Sequence, residues 1–234
     1  TPTTKPASPN PTMREQRPIG VFGGTFDPVH LGHLRLAEEA ADQLSLGEVR
    51  WIPAGQPQHR NAPQSAPARR LQMVQLATAG NPRFTVDSTE VEREEASYTV
   101  PTLERLRHKL GVTQPLVLLL GADAYAGLPT WHRWQEVFSL AHIAVAHRPG
   151  FAVDASALPE VLAEEHLQRQ QADAGAFGAS AAGLVTTFTM TPLAISATQI
   201  RALLAEEHSL RYLLPQPVID YIHLHNLYRS SDGS

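Results

Sequence analysis

Two histidines three residues apart, His30 and His33, close a segment that opens on adjacent glycines: Gly23-Gly24-Thr25-Phe26-Asp27-Pro28-Val29-His30-Leu31-Gly32-His33. Glycine has no Cβ, so backbone N–H groups there can approach a phosphate closely. A helix starting just afterwards points its positive end into the same space. At helical spacing both imidazoles face one ligand, each offering an N–H donor, or a charge when protonated. This is equipment for holding phosphoryl oxygens. Taken singly, the double glycine is equally an ordinary turn. A histidine pair could also ligate a metal, but no third ligand stands nearby at a suitable spacing. The string lacks the Gly-Lys-Ser/Thr of a P-loop and the Gly-x-Gly-x-x-Gly of a dinucleotide site.

A second group lies far along the chain, in Ile195-Ser196-Ala197-Thr198-Gln199-Ile200-Arg201. Ser196 is a natural N-cap, leaving the next N–H groups directed at an anion. Thr198 adds a hydroxyl, and Arg201, one turn in, can reach back with a planar fork of donors. Alone, this pattern is also an ordinary capped helix with a solvent-facing arginine. Asp123, in Gly121-Ala122-Asp123-Ala124, follows the aliphatic run 116–120. A carboxylate at the carboxyl end of a parallel strand can accept bonds from ribose hydroxyls. A helix cap is its other reading.

These groups need a frame to hold them. Strand-like segments at 19–22, 49–52, 84–86, 116–120, 143–146 and 185–190 alternate with helical patterns at 32–44, 68–79, 100–110, 159–171, 197–206 and 217–226. The run at 116–120 has the unbroken apolar character of a parallel strand covered on both faces. The alternation predicts an α/β fold with a doubly wound parallel sheet, whose ligands sit beyond the carboxyl ends of the strands at the topological switch point. Residues 1–17 and 230–234 are polar and poor in apolar side chains, and read as mobile tails around a single body at 18–229. The stretch 151–183 is rich in Ala, Gln and Gly and reads as the most mobile part of that body.

Composition narrows the chemistry. The 234 residues are 42% hydrophobic and 18% charged, enough for a real core. No apolar run is long enough to cross a bilayer, and no leader pattern opens the chain. Zero Cys excludes disulfides, thiolate metal sites and a cysteine nucleophile. A net charge of −4 argues against a broad nucleic-acid surface, though not against a local phosphate pocket. The reading is a soluble, cytoplasmic protein with no nucleic-acid or membrane partner; a homo-oligomer is compatible with it.

The first string, with His30-Leu31-Gly32-His33, resembles the opening of the nucleotidylyltransferase superfamily, and the chain is similar to the bacterial nicotinate-nucleotide adenylyltransferases from about residue 18 to residue 229. The resemblance implies a Rossmann-like nucleotidylyltransferase fold with a C-terminal helical part at 191–229. It implies transfer of AMP from ATP to nicotinate mononucleotide, giving nicotinate adenine dinucleotide and pyrophosphate in NAD biosynthesis. His30, His33 and Arg201 would be catalytic. Gly23, Gly24, Thr25, Phe26, Ser196 and Thr198 would bind substrate phosphates, with Mg²⁺ carried on the ATP and no metal site on the protein. The segment Gly121-Ala122-Asp123-Ala124 resembles the family's Gly-x-Asp-Ser, with Gly121 and Asp123 toward the ribose and Ala124 in place of Ser. The loop 53–60 is similar to one ending Pro-Pro-His-Arg; Gln58 replaces its second Pro, and His59 and Arg60 would face phosphate. Tyr98 and Thr99 match the segment receiving the pyridine ring, Trp131 would stack on that ring, and Arg148 would touch the adenosine side. The first signature is shared by enzymes using other acceptors; the Tyr98, Thr99 and Trp131 segments favour nicotinate.

Overall fold

The computed structural model describes residues 17–57, 62–93 and 95–228. The expectations for 1–16, for Gln58, His59 and Arg60, and for 230–234 lie outside the described residues. In chain order the elements are β1 (Ile19–Gly24), α1 (Leu31–Gln43), β2 (Glu48–Pro53), β3 (Gln56–Pro57), α2 (Pro67–Thr78), β4 (Phe84–Val86), α3 (Thr89–Glu92), β5 (Ala96–Ser97), α4 (Thr99–Leu110), β6 (Leu116–Gly121), α5 (Ala122–Ala126), α6 (Val137–Leu140), β7 (His142–His147), α7 (Glu160–Arg169), β8 (Val185–Thr189), α8 (Ala197–Ala205) and α9 (Gln216–Leu224).

Six strands form one sheet in the order β4-β2-β1-β6-β7-β8, and every pairing is parallel. The chain starts in the middle, winds outward to β4, then crosses back to β6 and winds the other way. The order reverses between β1 and β6, which makes their carboxyl ends the switch point. Alternation along the strands divides the core. Phe22, Val117 and Leu119 face a cluster with Leu36, Val74, Ile200, Leu204 and Ile222, from α1, α2, α8 and α9. Val21, Leu118 and Leu120 face a second cluster with Val100, Leu103, Leu106, Phe138 and Leu162, from α4, α6 and α7. The aliphatic run of β6 is explained by this double covering, with burial of each large side chain contributing about 1.5–3 kcal/mol.

The strands and long helices fall where the hydrophobic pattern puts them, to within a residue or two at their ends. The two-residue parallel pair β3–β5 and the short helices α3, α5 and α6 are additions. In the stretch 151–183, α7 forms, and Leu162 and Phe177 are fully buried, one in each cluster. The Arg17 carbonyl accepts from Gln114 Nε2 at 3.0 Å. Among the described residues no helix is long and apolar enough to cross a membrane.

Candidate active site

Beyond Gly24 the chain turns through Phe26, at φ 51°, and a cis Asp27–Pro28 peptide, then enters α1 at His30. A Cβ on Gly32 would lie 3.0 Å from His30 Nδ1 and 3.7 Å from the Ile195 carbonyl. Glycine there lets the His30 ring tuck under the helix start and lets the second motif come close. The two imidazoles stack, with centroids 3.7 Å apart and planes at 26°. The His30 N–H donates to His33 Nδ1 at 3.3 Å, so the neutral His33 ring carries its proton on Nε2. The Phe26 ring stands edge-on to His33 at 5.1 Å and lies over Gly24. Phe26 is buried, so its side chain serves His33, and any ligand contact it makes comes through its backbone. Gly24 therefore makes room for an aromatic ring as well as for a ligand.

Burial pulls the His30 pKa from its ordinary value down to about 4. The protonated imidazole that the sequence left open is thus excluded for His30 near neutral pH: it is a neutral ring. Its Nδ1 is buried without a hydrogen-bond partner among the described residues.

The second motif docks onto this turn. Ser196 caps α8, its Oγ accepting from the Gln199 N–H at 3.1 Å. Arg201 Nη1 donates to the Asp27 carbonyl at 2.6 Å, and Nη2 to Thr198 Oγ1 at 3.4 Å. The approach to α8 is fixed by Glu39 of α1, whose carboxylate accepts from the Thr191 N–H at 2.7 Å, the Thr191 hydroxyl at 2.5 Å and Arg35 Nε at 2.9 Å. Burial alone would raise the Glu39 pKa; these donors outweigh it and hold the carboxyl below its ordinary value.

Besides Glu39, two supporting residues escape the sequence reading, Arg70 and Asp27. Arg70 of α2 is fully buried, and its guanidinium donates to four backbone carbonyls: Ser65 at 3.2 Å, Thr25 at 2.8 Å, Ala54 at 2.6 Å and Gly55 at 2.8 Å. It binds the loops after β1 and β2 into one unit. Burial lowers its pKa, with the Asp27 charge opposing. Asp27 does the complementary work, its buried carboxylate accepting from the Gln64 N–H at 2.7 Å, the Ser65 N–H at 3.2 Å and the Tyr228 hydroxyl at 2.6 Å. A signal for Arg70 existed: it stands three and four positions before Met73 and Val74, on the buried stripe of α2.

The segments matched to the acceptor flank this turn, because Gly24 pairs with Pro53 at the strand ends and β6 lies on the other side of β1. The β3–β5 pair joins the loop after β2 to the Ser97-Tyr98-Thr99 segment, and Ser97 Oγ accepts from the Gly55 N–H at 3.0 Å. A Cβ on Gly55 would run into the Glu90 carbonyl, so this junction admits only glycine. Tyr98 precedes α4 and Thr99 begins it. The Tyr98 ring packs at 5.1 Å against His132, beside Trp131, which brings together the two segments that the resemblance assigns to the pyridine ring. Trp131 is half-buried against the second cluster. Arg133 fastens this turn to α4 through Glu104 at 2.6 Å. Gly121 precedes α5 and the exposed Asp123 lies in its first turn, so Asp123 is not itself the cap. Arg148 is exposed just past β7. The buried His166 of α7 has its own partner away from this turn: the buried Tyr125 hydroxyl lies 3.0 Å from its Nδ1.

Comparisons with known proteins bear on the family and the fold. Residues 21–203 match the cytidylyltransferase-like family model. A Dechloromonas aromatica protein named "Probable nicotinate-nucleotide adenylyltransferase" is 64% identical over 214 residues, 92% of this chain and 99% of that one. A Pseudomonas aeruginosa protein of the same name is 48% identical over 91% of this chain and 97% of its own. The solved nicotinic acid mononucleotide adenylyltransferase of Plasmodium falciparum, complexed with NaAD, superposes with a TM-score of 0.68 at 16% identity, covering 91% of this chain and 97% of that one. That likeness speaks for the fold, and the sequence relatives speak for the family. The chain belongs to the cytidylyltransferase-like family and, within it, to the nicotinate-nucleotide adenylyltransferases, which are nucleotidyltransferase enzymes.

Proposed function

We propose that this chain transfers AMP from Mg–ATP to nicotinate mononucleotide, releasing pyrophosphate and forming nicotinate adenine dinucleotide, by direct in-line attack. The observation that carries the reading is the bond from Arg201 to the Asp27 carbonyl, which seats the second signature on the first. The names of its sequence relatives supply the acceptor.

The nucleophile is a phosphate, which already carries at least one negative charge near pH 7, so no general base is needed. The protein's task is to align two polyanions and neutralise the charge that develops at phosphorus. His33 presents an Nε2–H to the oxygens of the α-phosphate. His30 sets that tautomer through its own backbone N–H and supports the ring from beneath. Arg201, Thr198 and the capped start of α8 receive the β- and γ-phosphates and stabilise the departing pyrophosphate. Gly23, Gly24 and Thr25 line the turn, and Asp123 and Arg148 stand where ribose and adenosine contacts would fall. His59 and Arg60 would add positive charge. Tyr98, Thr99 and Trp131 take the pyridine ring and its carboxylate. Magnesium enters on the ATP as part of the substrate, keeping several of its waters.

The test is pyrophosphate release with Mg–ATP, comparing nicotinate mononucleotide with nicotinamide mononucleotide. Strong preference for the acid is expected. Equal use of both would remove the carboxylate role from the Tyr98 and Trp131 segments. Release with neither would overturn the reading.

A further inference from the structure

The approach of Tyr228 to the phosphate turn belongs to none of the motifs above. After α9 the backbone reverses through Asn226, at φ 49°, and Tyr228, at φ 61°. Residues bearing a Cβ adopt that left-handed region only when their surroundings hold them there. Tyr228 packs against the first core cluster and its hydroxyl donates at 2.6 Å to Asp27 Oδ1, 201 positions away, while the Ser65 side chain bonds the same hydroxyl. The bond thus reaches a buried carboxylate inside the reactive turn.

Asp27 distributes that contact. Its carboxylate also accepts from the N–H groups of Gln64 and Ser65, at the end of the segment that leads back to His59 and Arg60. Its carbonyl is the anchor of Arg201. Fixing the carboxylate on three donors fixes the residue's rotation, and with it the direction of the carbonyl that aims the guanidinium. Burial, followed by the Asp27 bond, pushes the Tyr228 pKa well above the ordinary tyrosine range, so the hydroxyl stays a donor. The charge of Arg201 lies near enough to act on the same hydroxyl in the opposite sense.

We propose that Tyr228 and Asp27 are positioning residues for phosphoryl transfer, Tyr228 latching the Asp27 carboxylate so that its carbonyl aims Arg201 at the triphosphate. The claim rests on the function proposed above. Neither residue touches substrate; both act through Arg201.

The experiment is a double-mutant cycle in the full chain with Tyr228→Phe, Arg201→Lys and the pair, reading kcat and KM for each substrate by pyrophosphate release, with thermal melting in parallel. Removing a hydrogen bond to a buried carboxylate should lower kcat/KM for ATP roughly tenfold. The KM for the acceptor should stay put. The paired variant should lose much less than the product of the single losses. Asp27→Asn, which keeps the shape but turns a donor toward either the Gln64 or the Ser65 N–H, should lose more than Tyr228→Phe. Unchanged kinetics in Tyr228→Phe, multiplicative losses in the cycle, or a fall in melting temperature with normal turnover per folded molecule would overturn the latch. If the native chain releases no pyrophosphate with either acceptor, it is the proposed reaction that fails. Calorimetric binding of Mg–ATP then decides the latch, which requires weaker binding in Tyr228→Phe than in the native chain.

Discussion

The two ends of the sheet use the same device for different purposes. At the carboxyl end Arg70 gathers four carbonyls from the loops after β1 and β2 and the segment before α2. At the amino end Arg107 gathers carbonyls of Val112, Gln114, Leu140 and Ala181, all lying just before β6, β7 or β8. Each end also buries a histidine. His142, at the start of β7, has both ring nitrogens engaged, by the Ser180 carbonyl at 2.9 Å and the Leu184 N–H at 3.1 Å. His30, at the carboxyl end, keeps a buried nitrogen without a partner. The amino-end histidine is satisfied internally, whereas the one at the carboxyl end, where the proposed site lies, has a ring nitrogen left over.

The contrast is sharpest in the arginines. Arg70→Met should strand four carbonyls and cost several kcal/mol of stability, since each buried acceptor left without a donor costs about 1–3 kcal/mol before the loops relax. It should also cut turnover per folded molecule, because the loops that shift carry the phosphate turn. Arg107→Met should destabilise by a lesser amount and leave turnover per folded molecule intact. Denaturant unfolding with kinetics on the folded fraction separates them, and equal kinetic losses would break the comparison.

His33→Ala should raise the barrier by about 2.7–4 kcal/mol, a hundred- to thousand-fold in kcat, with ATP affinity little changed. Single-turnover rates beside calorimetric ATP binding decide this, and near-normal turnover would remove His33 from the reacting centre. A smaller effect concerns pH. An unfolded His30 takes up a proton near pH 6.5, whereas the folded ring resists until about 4. The unfolded state therefore binds the extra proton in that window, and stability is full above 6.5 and declines on acidification toward 4, by up to about 1.4 kcal/mol per pH unit. His30→Asn should flatten part of the decline; urea midpoints between pH 4 and 7 would show it, and an unaltered slope would contradict the burial argument. The smallest effect belongs to the acceptor end. Trp131→Ala should raise KM for nicotinate mononucleotide about tenfold or less, the scale of one ring stack, and leave the KM for ATP alone.

Much of this was legible in the sequence because the phosphate end is local. His30, Gly32 and His33 are adjacent in the chain, and Ser196, Thr198 and Arg201 span less than two turns of one helix. Of the six main strands, β6 declared itself by an unbroken aliphatic run and the others by short apolar or β-branched segments between helical patterns. The acceptor end is assembled otherwise, from the β3–β5 pair and a ring contact between Tyr98 and His132. Two-residue strands leave no period to detect. Arg70, Glu39 and Asp27 were quoted or passed over as polar residues, since charge ordinarily means a solvated face. Arg70 and Glu39 both sit on the buried stripes of their helices, at the spacing of apolar neighbours. Treating a charge on such a stripe as a clue would have found both.

The bond between Arg201 and Asp27 closes a loop of 174 positions. On a translating ribosome the glycine turn emerges on the order of ten to thirty seconds before its arginine does. A nascent chain can pair β1 with β2 and lay α1 across them in that interval, yet it holds half of the proposed triphosphate site. Contacts of such separation also carry a high loop-closure entropy and tend to form late in folding. The proposed competence to handle ATP is therefore among the last properties the growing polypeptide acquires: a chain stalled after β8 has all six strands but neither the second signature nor the helices α8 and α9 that cover one face of the sheet.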